Sequence, residues 1–412
     1  MAFGKLTVNE VDLALAVWEY VPKLQEMFDR EIATLIRQRL AMYPAVVLVG
    51  PRQCGKTTLA RQQDGYYFDL EVAGDRARLD AEWAQVVGGD RLVILDEAQE
   101  DPAVFSRLRS AIDADRDRRG RFLLLGSVSP ALMAGVAESL AGRLGMVHMA
   151  PLVLAEVGPD RFDDLWLYGG FPDGGIRESG MFPVWQQDYL EALATRDLPQ
   201  WGLTAPPRLI QRLIAMLAAE HAQTFNASKL GAALGIDHKT VQHYCDRLEG
   251  AFLIRRLQPW AANIRKRLVR RPKVFWRDSG LLHGVLEVEN REQLYRRPWL
   301  GASWEGFVIE QTLASMGHTG LRAKPYFFRT SDGYELDLVL DWGDRLWAME
   351  CKLTSDPGRD MVERLHTTAD LIGAERRFLV CRIAQGFNDE RTQVCDLATW
   401  LQMLRSQGDG RG

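Results

Sequence analysis

Five consecutive apolar residues, AVVLV at 45–49, run directly into the glycine-framed segment GPRQCGKT at Gly50–Thr57, and a helix-forming stretch follows. No other feature constrains the fold as strongly. A buried strand, a tight turn and a helix N-terminus in that order match the P-loop pattern G-x-x-x-x-G-K-[ST], which predicts an α/β fold with a parallel sheet. Gly50 and Gly55 let backbone N–H groups turn inward on phosphates, with Pro51, Arg52, Gln53 and Cys54 forming the loop between them and Thr58 following it. Lys56 is placed to pair with β- and γ-phosphates and Thr57 to give its hydroxyl oxygen to magnesium, so ATP and Mg are the expected cofactors. The alternative is a strand–helix turn that binds nothing.

About forty residues on, RLVILDEAQ ends an apolar strand in two acids. Asp96 fits the role of holding magnesium, and Glu97 that of a general base on the attacking water. Paired acids that merely end a strand are the competing reading. RFLLLGSVSP then ends a further core strand at Gly126–Ser127, where Ser127 would sense the γ-phosphate or simply cap a turn. Arg143, in SLAGR, is a candidate charge stabiliser for the transferring phosphoryl group, in cis or across a subunit boundary of a homo-oligomer. Its competing reading is a solvated charge at a helix C-terminus.

At 412 residues the chain is too long for one ordinary core. The pattern divides it into an N-terminal helical segment (1–40), an ATP-binding core (41–155), a helical lid (156–220), a winged-helix unit (221–300), an α/β unit (301–400) and a tail (401–412). Helix is expected over 9–40, with a break at Pro22, and AVVLV, YYFDL, RLVILD and RFLLLG are the expected core strands. Five cysteines without paired short spacing suggest neither a disulfide framework nor a zinc site. No secretory n-region and h-region is apparent, and no apolar run approaches the ~20 residues of a membrane span. The cytoplasm is the expected compartment, with no membrane partner. A formal net charge of −4 argues against wholesale coating by nucleic acid but leaves room for a local basic face.

Such a face is offered by the middle of the chain. TFNASKLGAALGIDHKTVQHYCDRLEGAFLI has helix–turn–helix spacing, with a first helix near Ser228–Leu234 and Asp237 as N-cap of the second. His238, Lys239, Gln242 and His243 would face a DNA groove, and Arg265–Lys273, with six basic side chains in nine residues, would track phosphates as a wing. A protein-packing module with a solvated basic hairpin is the alternative.

In YELDLVLD, strict alternation puts Glu335, Asp337 and Val339 on one face and Tyr334, Leu336 and Leu338 on the other. The chain returns through RLWAMECK, bringing Asp337 close to Glu350, with Lys352 two residues further on. An acid followed by E-x-K on the adjacent strand resembles the PD-(D/E)xK nuclease core, in which carboxylates hold magnesium and the lysine orients the nucleophile. From the preceding helix SWEGFVIEQTLASMG, Glu305 falls on the apolar face as the third carboxylate, whereas Glu310 points elsewhere. The competing readings are a solvated ion-pair cluster and a nuclease fold without activity.

Taken in order, GPRQCGKTTLA, LDEAQ, GSVSP, SLAGR, PLVLAE and YGGFP resemble the bacterial and archaeal AAA-type ATPases that carry a conserved C-terminal domain of unknown function. The likeness continues through DYLEALATRDLP, LGIDHKTVQHYCDRLEGAFLIRRLQPW, GASWEGFVIEQTL and LWAMECKLT. It implies a P-loop ATPase core and strengthens Arg143 as a phosphate-site residue. Cys54 departs from the small or apolar residue more usual there, and Leu125 from a threonine, which weakens the sensor reading of Ser127.

Overall fold

The computed structural model describes residues 28–126, 138–260, 268–388 and 391–409. Residues 9–27 of the expected N-terminal helix, the expected sensor Ser127 and residues 265–267 of the basic stretch lie outside the described residues. Helix α1 (Ile32–Met42) leads into β1 (Ala45–Val49), the P-loop and α2 (Lys56–Arg61). β2 (Gly65–Asp69), α3 (Ala73–Gly88), β3 (Leu92–Asp96), α4 (Ala103–Ala114), β4 (Phe122–Gly126) and β5 (Leu144–His148) complete the unit. All strand pairs are parallel and the order is β2-β3-β4-β1-β5.

These strands read as continuous apolar runs because both faces are covered. Val46, Leu48, Ile94, Leu123 and Leu125 share a core with α1 and with the helical middle of the chain. Val47, Val93, Leu95 and Leu124 pack instead on Leu79, Phe105, Leu108 and Ile112 of α3 and α4. The four expected strands are present. β5, at the sheet edge and interrupted by Gly145, was not among them.

The middle contains α5 (Val184–Ala192), α6 (Pro207–Ala219), β6 (Gln223–Thr224), α7 (Ala227–Leu234), α8 (His238–Gly250), β7 (Ile254–Leu257), β8 (Lys273–Trp276) and α9 (Ser279–Val285). The strands form an antiparallel sheet in the order β6-β8-β7. Asp237 caps α8 as expected, accepting from the N–H groups of Lys239 (2.8 Å) and Thr240 (3.1 Å). Gly231 allows α7 and α8 to meet closely, since a Cβ there would lie 2.6 Å from the Ile236 carbonyl oxygen.

The C-terminal unit begins with α10 (Leu300–Thr319), followed by β9 (Lys324–Arg329), β10 (Glu335–Asp341), β11 (Leu346–Lys352), α11 (Arg359–Ile372), β12 (Arg376–Cys381), β13 (Phe387–Asn388), β14 (Thr392–Cys395) and α12 (Leu397–Asp409). The sheet order is β13-β14-β12-β11-β10-β9, antiparallel through β9–β11 and parallel from β11 to β14. Most of the expected tail at 401–412 is therefore helix: Trp400, Leu401 and Leu404 are buried, and the Trp400 indole N–H donates to the Thr312 hydroxyl at 2.9 Å. Strict alternation along β10 also fails. Leu336 and Val339 face α11, whereas Leu338 and Leu340 face α10 and α12. The cause is a β-bulge between Leu336 and Val339 against β9, which inserts one residue at Asp337–Leu338.

Candidate functional site

β1 is flanked by β4 and β5, while the chain leaving it crosses to β2 at the far edge. The loop after β1 thus opens at a topological switch point, where open α/β sheets form ligand crevices. Gly50 packs so tightly that a Cβ would lie 2.4 Å from the Met149 carbonyl oxygen, and Gly55 adopts a left-handed φ of 98°. Both glycines are required by geometry, as the motif implies.

The Lys56 ammonium is buried and donates to the carbonyls of Pro51 (2.8 Å) and Gly50 (3.1 Å). The Thr57 hydroxyl donates to Asp96 Oδ2 at 2.7 Å, and the Tyr67 hydroxyl donates to the same oxygen at 2.7 Å. Thr57 and Asp96, thirty-nine residues apart, are thus brought together as a hydroxyl–carboxylate pair. Glu97 has a left-handed backbone (φ 46°, ψ 49°) and accepts a hydrogen bond from the Gln99 amide. Burial pushes its carboxyl above the ordinary range, against the opposing pull of Gln99 and Lys56. An ammonium, a hydroxyl and a strand-end carboxylate around a glycine-framed loop form a group set suited to a triphosphate with magnesium.

Beside the loop lies a cleft of about 350 Å³, lined among others by Arg52, Lys56, Thr57, Glu97, Arg177 and Arg196, a size appropriate to a small-molecule ligand. Arg177 and Arg196 had no signal of their own, lying in stretches that read only as helix and turn. They arrive because Arg52 of the loop pairs with Asp197 at 3.2 Å and the Gly169–Gly175 turn folds back over the cleft. Arg143 is not part of this lining. It makes a two-pronged pair with Asp113 of α4 (2.8 and 2.9 Å), so the reading in which it reaches the phosphates of its own chain does not fit the fold. The reading across a subunit boundary is unaffected.

Sequence reasoning also missed Arg30. Its guanidinium donates to the Cys54 carbonyl (2.7 Å) and the Ala150 carbonyl (2.7 Å) and pairs with Glu156 (3.0 Å). His318 of α10 accepts the Ala150 N–H at 3.2 Å and lies 3.8 Å from Glu156. The P-loop is therefore braced, through Arg30 and Glu156, against the first helix of the C-terminal unit.

At the C-terminal candidate site, the register Leu338↔Met349 sets Asp337 beside the end of β11, and Asp337 Oδ2 accepts the Cys351 N–H at 2.9 Å. Lys352 pairs with Glu350 at 2.7 Å, and the second Glu350 oxygen is buried without a partner. Burial, with Asp337 beside it, pushes the Glu350 carboxyl up, while Lys352 pulls it down. Glu305 does not turn toward Glu350; it binds Lys273 at 2.8 Å. Lys273 also meets Glu335 at 2.6 Å and Asp337 at 3.9 Å. Burial alone would lower its pKa, but Glu305, Asp337 and Glu335 outweigh that and hold the ammonium above its usual value. Glu310 is buried as well, gripping Arg255 at 2.6 and 3.0 Å, which corrects the expectation that it points away from the interior. Both glutamates of α10 thus find cationic partners on the three-stranded sheet of the middle unit. Among the described residues, no group of three or more His, Cys, Asp or Glu side chains is arranged to hold a metal ion.

Of the basic stretch, Arg270 and Arg271 are exposed while Lys273 is buried, so Lys273 is not part of a solvated wing. His238, Lys239, Gln242 and His243 are all exposed on α8. No helix of the described residues is long and apolar enough to cross a membrane.

The five-stranded parallel sheet, the P-loop and the acid-ended β3 define a P-loop NTPase, and residues 42–158 match the family model described as an AAA domain. Residues 159–292 and 300–400 match two models described as domains of unknown function, DUF8612 and DUF4143 respectively. Uncharacterized protein Rv2008c of Mycobacterium tuberculosis and uncharacterized protein Mb2031c of Mycobacterium bovis are each 40% identical over 333 residues, spanning 80% of this chain and 74% of theirs. The chain belongs to their family, that of AAA-type ATPases with C-terminal domains of unknown function. Among solved structures, a RuvB variant of Thermotoga maritima is 18% identical at a TM-score of 0.28, covering 56% of this chain and 90% of that one. AMPPCP-bound DnaA from Aquifex aeolicus is 13% identical at a TM-score of 0.27, covering 53% and 85%. At those scores neither likeness bears on what this chain does.

Proposed function

We propose that this protein hydrolyses ATP with magnesium and that its nucleotide state sets how the middle of the chain engages nucleic acid. The observation carrying this reading is the 2.7 Å bond between Thr57 and Asp96, with Lys56 and Glu97 at the same cleft. Lys56 would pair with the β- and γ-phosphates, Thr57 and Asp96 would hold magnesium, and Glu97 would take a proton from the attacking water. Magnesium, when bound, neutralises charge on the phosphates. Arg177 and Arg196 supply positive charge from the segment 156–220, which acts as a lid tied to the loop through Arg52–Asp197. Lys56→Ala should weaken ATP binding roughly tenfold to a hundredfold, since a charge-assisted hydrogen bond contributes ~1.5–3 kcal/mol. Titration with labelled ATP checks this, and a variant that binds as tightly as wild type sinks the assignment.

The order helix, strand, two helices and a two-stranded antiparallel pair over 207–276 supports reading this unit as a winged helix. We assign it sequence-independent binding to DNA through Lys239, Arg270 and Arg271, which are exposed on α8 and the hairpin. Replacing all three with alanine should weaken duplex binding and flatten its salt dependence by about 0.9 in log–log slope for each phosphate no longer neutralised. Fluorescence anisotropy at several salt concentrations tests this, and an unchanged slope would remove the assignment.

A second reading, an ATP-dependent nuclease, is favoured by the buried, unpartnered oxygen of Glu350 beside Asp337 and Lys352. Magnesium-dependent DNA cleavage that Glu350→Ala abolishes would carry it.

A further inference from the structure

Two of the three carboxylates expected to gather a metal in the C-terminal unit, Glu305 and Asp337, lie against a lysine instead, joined there by Glu335, while Glu350 stays on Lys352. Lys273 opens β8 of the middle unit, paired on one side with Leu257 and on the other with Thr224. Only 3% of its side chain is exposed, and its ammonium lies 2.6 Å from Glu335, 2.8 Å from Glu305 and 3.9 Å from Asp337. A magnesium ion needs oxygen ligands at about 2.0–2.1 Å in near-octahedral array. With the ammonium seated among them, Glu305 and Asp337 offer no such array, and a second cation would meet a buried positive charge. The residues therefore do not fit a divalent metal here.

The backbone around Lys273 explains how it is held. Trp260 N–H donates to the Phe327 carbonyl (2.6 Å), Phe327 N–H to Gln258 (3.0 Å) and Val269 N–H to Arg329 (3.0 Å). Both sides of the basic hairpin are thus laid along β9 of the C-terminal sheet. Arg329, on that strand, also approaches Glu335 at 3.6 Å. The Arg255–Glu310 pair repeats the pattern one strand over, again joining the three-stranded sheet to α10.

We propose that Lys273 is the resident cation of the Glu305–Glu335–Asp337 cluster, and that the nuclease-like carboxylates serve as the socket anchoring the middle unit's hairpin on the C-terminal sheet. Such a socket is independent of ATP hydrolysis and stands against the nuclease reading. It also explains why only Arg270 and Arg271, among the described basic residues of the stretch, remain available at the surface.

The test uses the full-length, nucleotide-free protein, with Mn²⁺ binding followed by electron paramagnetic resonance and thermal unfolding in parallel. Wild type should bind no Mn²⁺ that depends on Asp337 or Glu350. Lys273→Met should gain one Mn²⁺ site that Asp337→Asn removes. With Lys273 intact, Glu305→Gln and Asp337→Asn should each lower the melting temperature, because a buried ammonium loses a counter-charge. Carboxylates awaiting a metal repel one another, so neutralising one of them would instead raise it. The idea is overturned by an Asp337- or Glu350-dependent Mn²⁺ site in wild type, or by a raised melting temperature in either carboxylate variant. Should Lys273→Met fail to fold, the sign of those two melting shifts decides by itself.

Discussion

Glu97→Gln should lower ATP turnover by about 10²–10⁴-fold while leaving nucleotide binding nearly unchanged, the range expected when a positioned general base is lost. Glutamine keeps the shape of the side chain and can still accept from the Gln99 amide through its own carbonyl oxygen, so the cleft should not rearrange. What it cannot do is take a proton. The backbone of Glu97 sits in the left-handed region, sparsely used by residues other than glycine, asparagine and aspartate. Such strain persists where the surroundings over-determine it, and here β3 fixes Asp96 against the Thr57 hydroxyl while Glu97 lines the cleft. Because burial raises the Glu97 carboxyl, the acid limb of the pH–rate profile should lie above the ordinary carboxylate range. Turnover falls as pH drops through that raised value, since the active form is the deprotonated one. Steady-state hydrolysis and labelled-nucleotide binding on the same variant check the claim. Glu97→Gln turnover within a few-fold of wild type would mean that another group activates the water.

The second large effect is loss of stability in mild acid. His221, His283 and His318 are buried, and burial holds their pKa values down, to about 3, about 4 and about 3. Their bonding shows what protonation would disturb. His221 Nδ1 accepts the Trp276 N–H (3.1 Å), His318 accepts the Ala150 N–H (3.2 Å), and His283 lies between the Leu167 carbonyl (2.9 Å) and the Ser303 hydroxyl (2.8 Å). An unfolded histidine titrates near 6.5. The stability these groups contribute is therefore complete above about pH 6.5 and is lost as pH falls toward their folded values, because only the unfolded chain takes up protons. Asp278 works the other way. Burial raises it to about 6, against hydrogen bonds from the backbone of Gly170, Leu281 and Gly280, so it binds a proton in the folded chain first and offsets part of the loss. Three histidines against Asp278 leave two net protons, at most ~3 kcal/mol per pH unit, and the Glu97, Glu305 and Glu350 carboxyls that burial also raises offset part of that. Denaturant midpoints at pH 7.5, 6.5 and 5.5 should fall progressively. Equal midpoints at all three would show that these imidazoles are hydrated or already charged in the native state.

Some of this was legible in local chemistry. Gly50 and Gly55, the apolar runs of β1–β4 and Asp237 at the start of α8 all act on near neighbours, so motif and periodicity expose them. The pairing of Asp337 with the end of β11 was readable because a short turn sets hairpin register. The bulge was not, because it arises against β9, whose pairing the β10–β11 turn does not control. Arg30, Arg177 and Arg196 reach the cleft only through interactions with segments elsewhere in the chain. Arg143 illustrates the converse, a residue whose motif points to phosphate and whose fold places it on Asp113.

The residues alone determined that this chain builds a P-loop with an acid-ended strand beside it, because that geometry is local and tolerates few other readings. They also marked Glu305, Asp337, Glu350 and Lys352 as chemically notable. Only the tertiary structure decided what surrounds those carboxylates. Lys273, read from sequence as one charge in a solvated basic run, is drawn into the interior when β8 docks on α10 and β10. A lysine is buried only where carboxylates from distant segments meet it, and no local pattern carries that information.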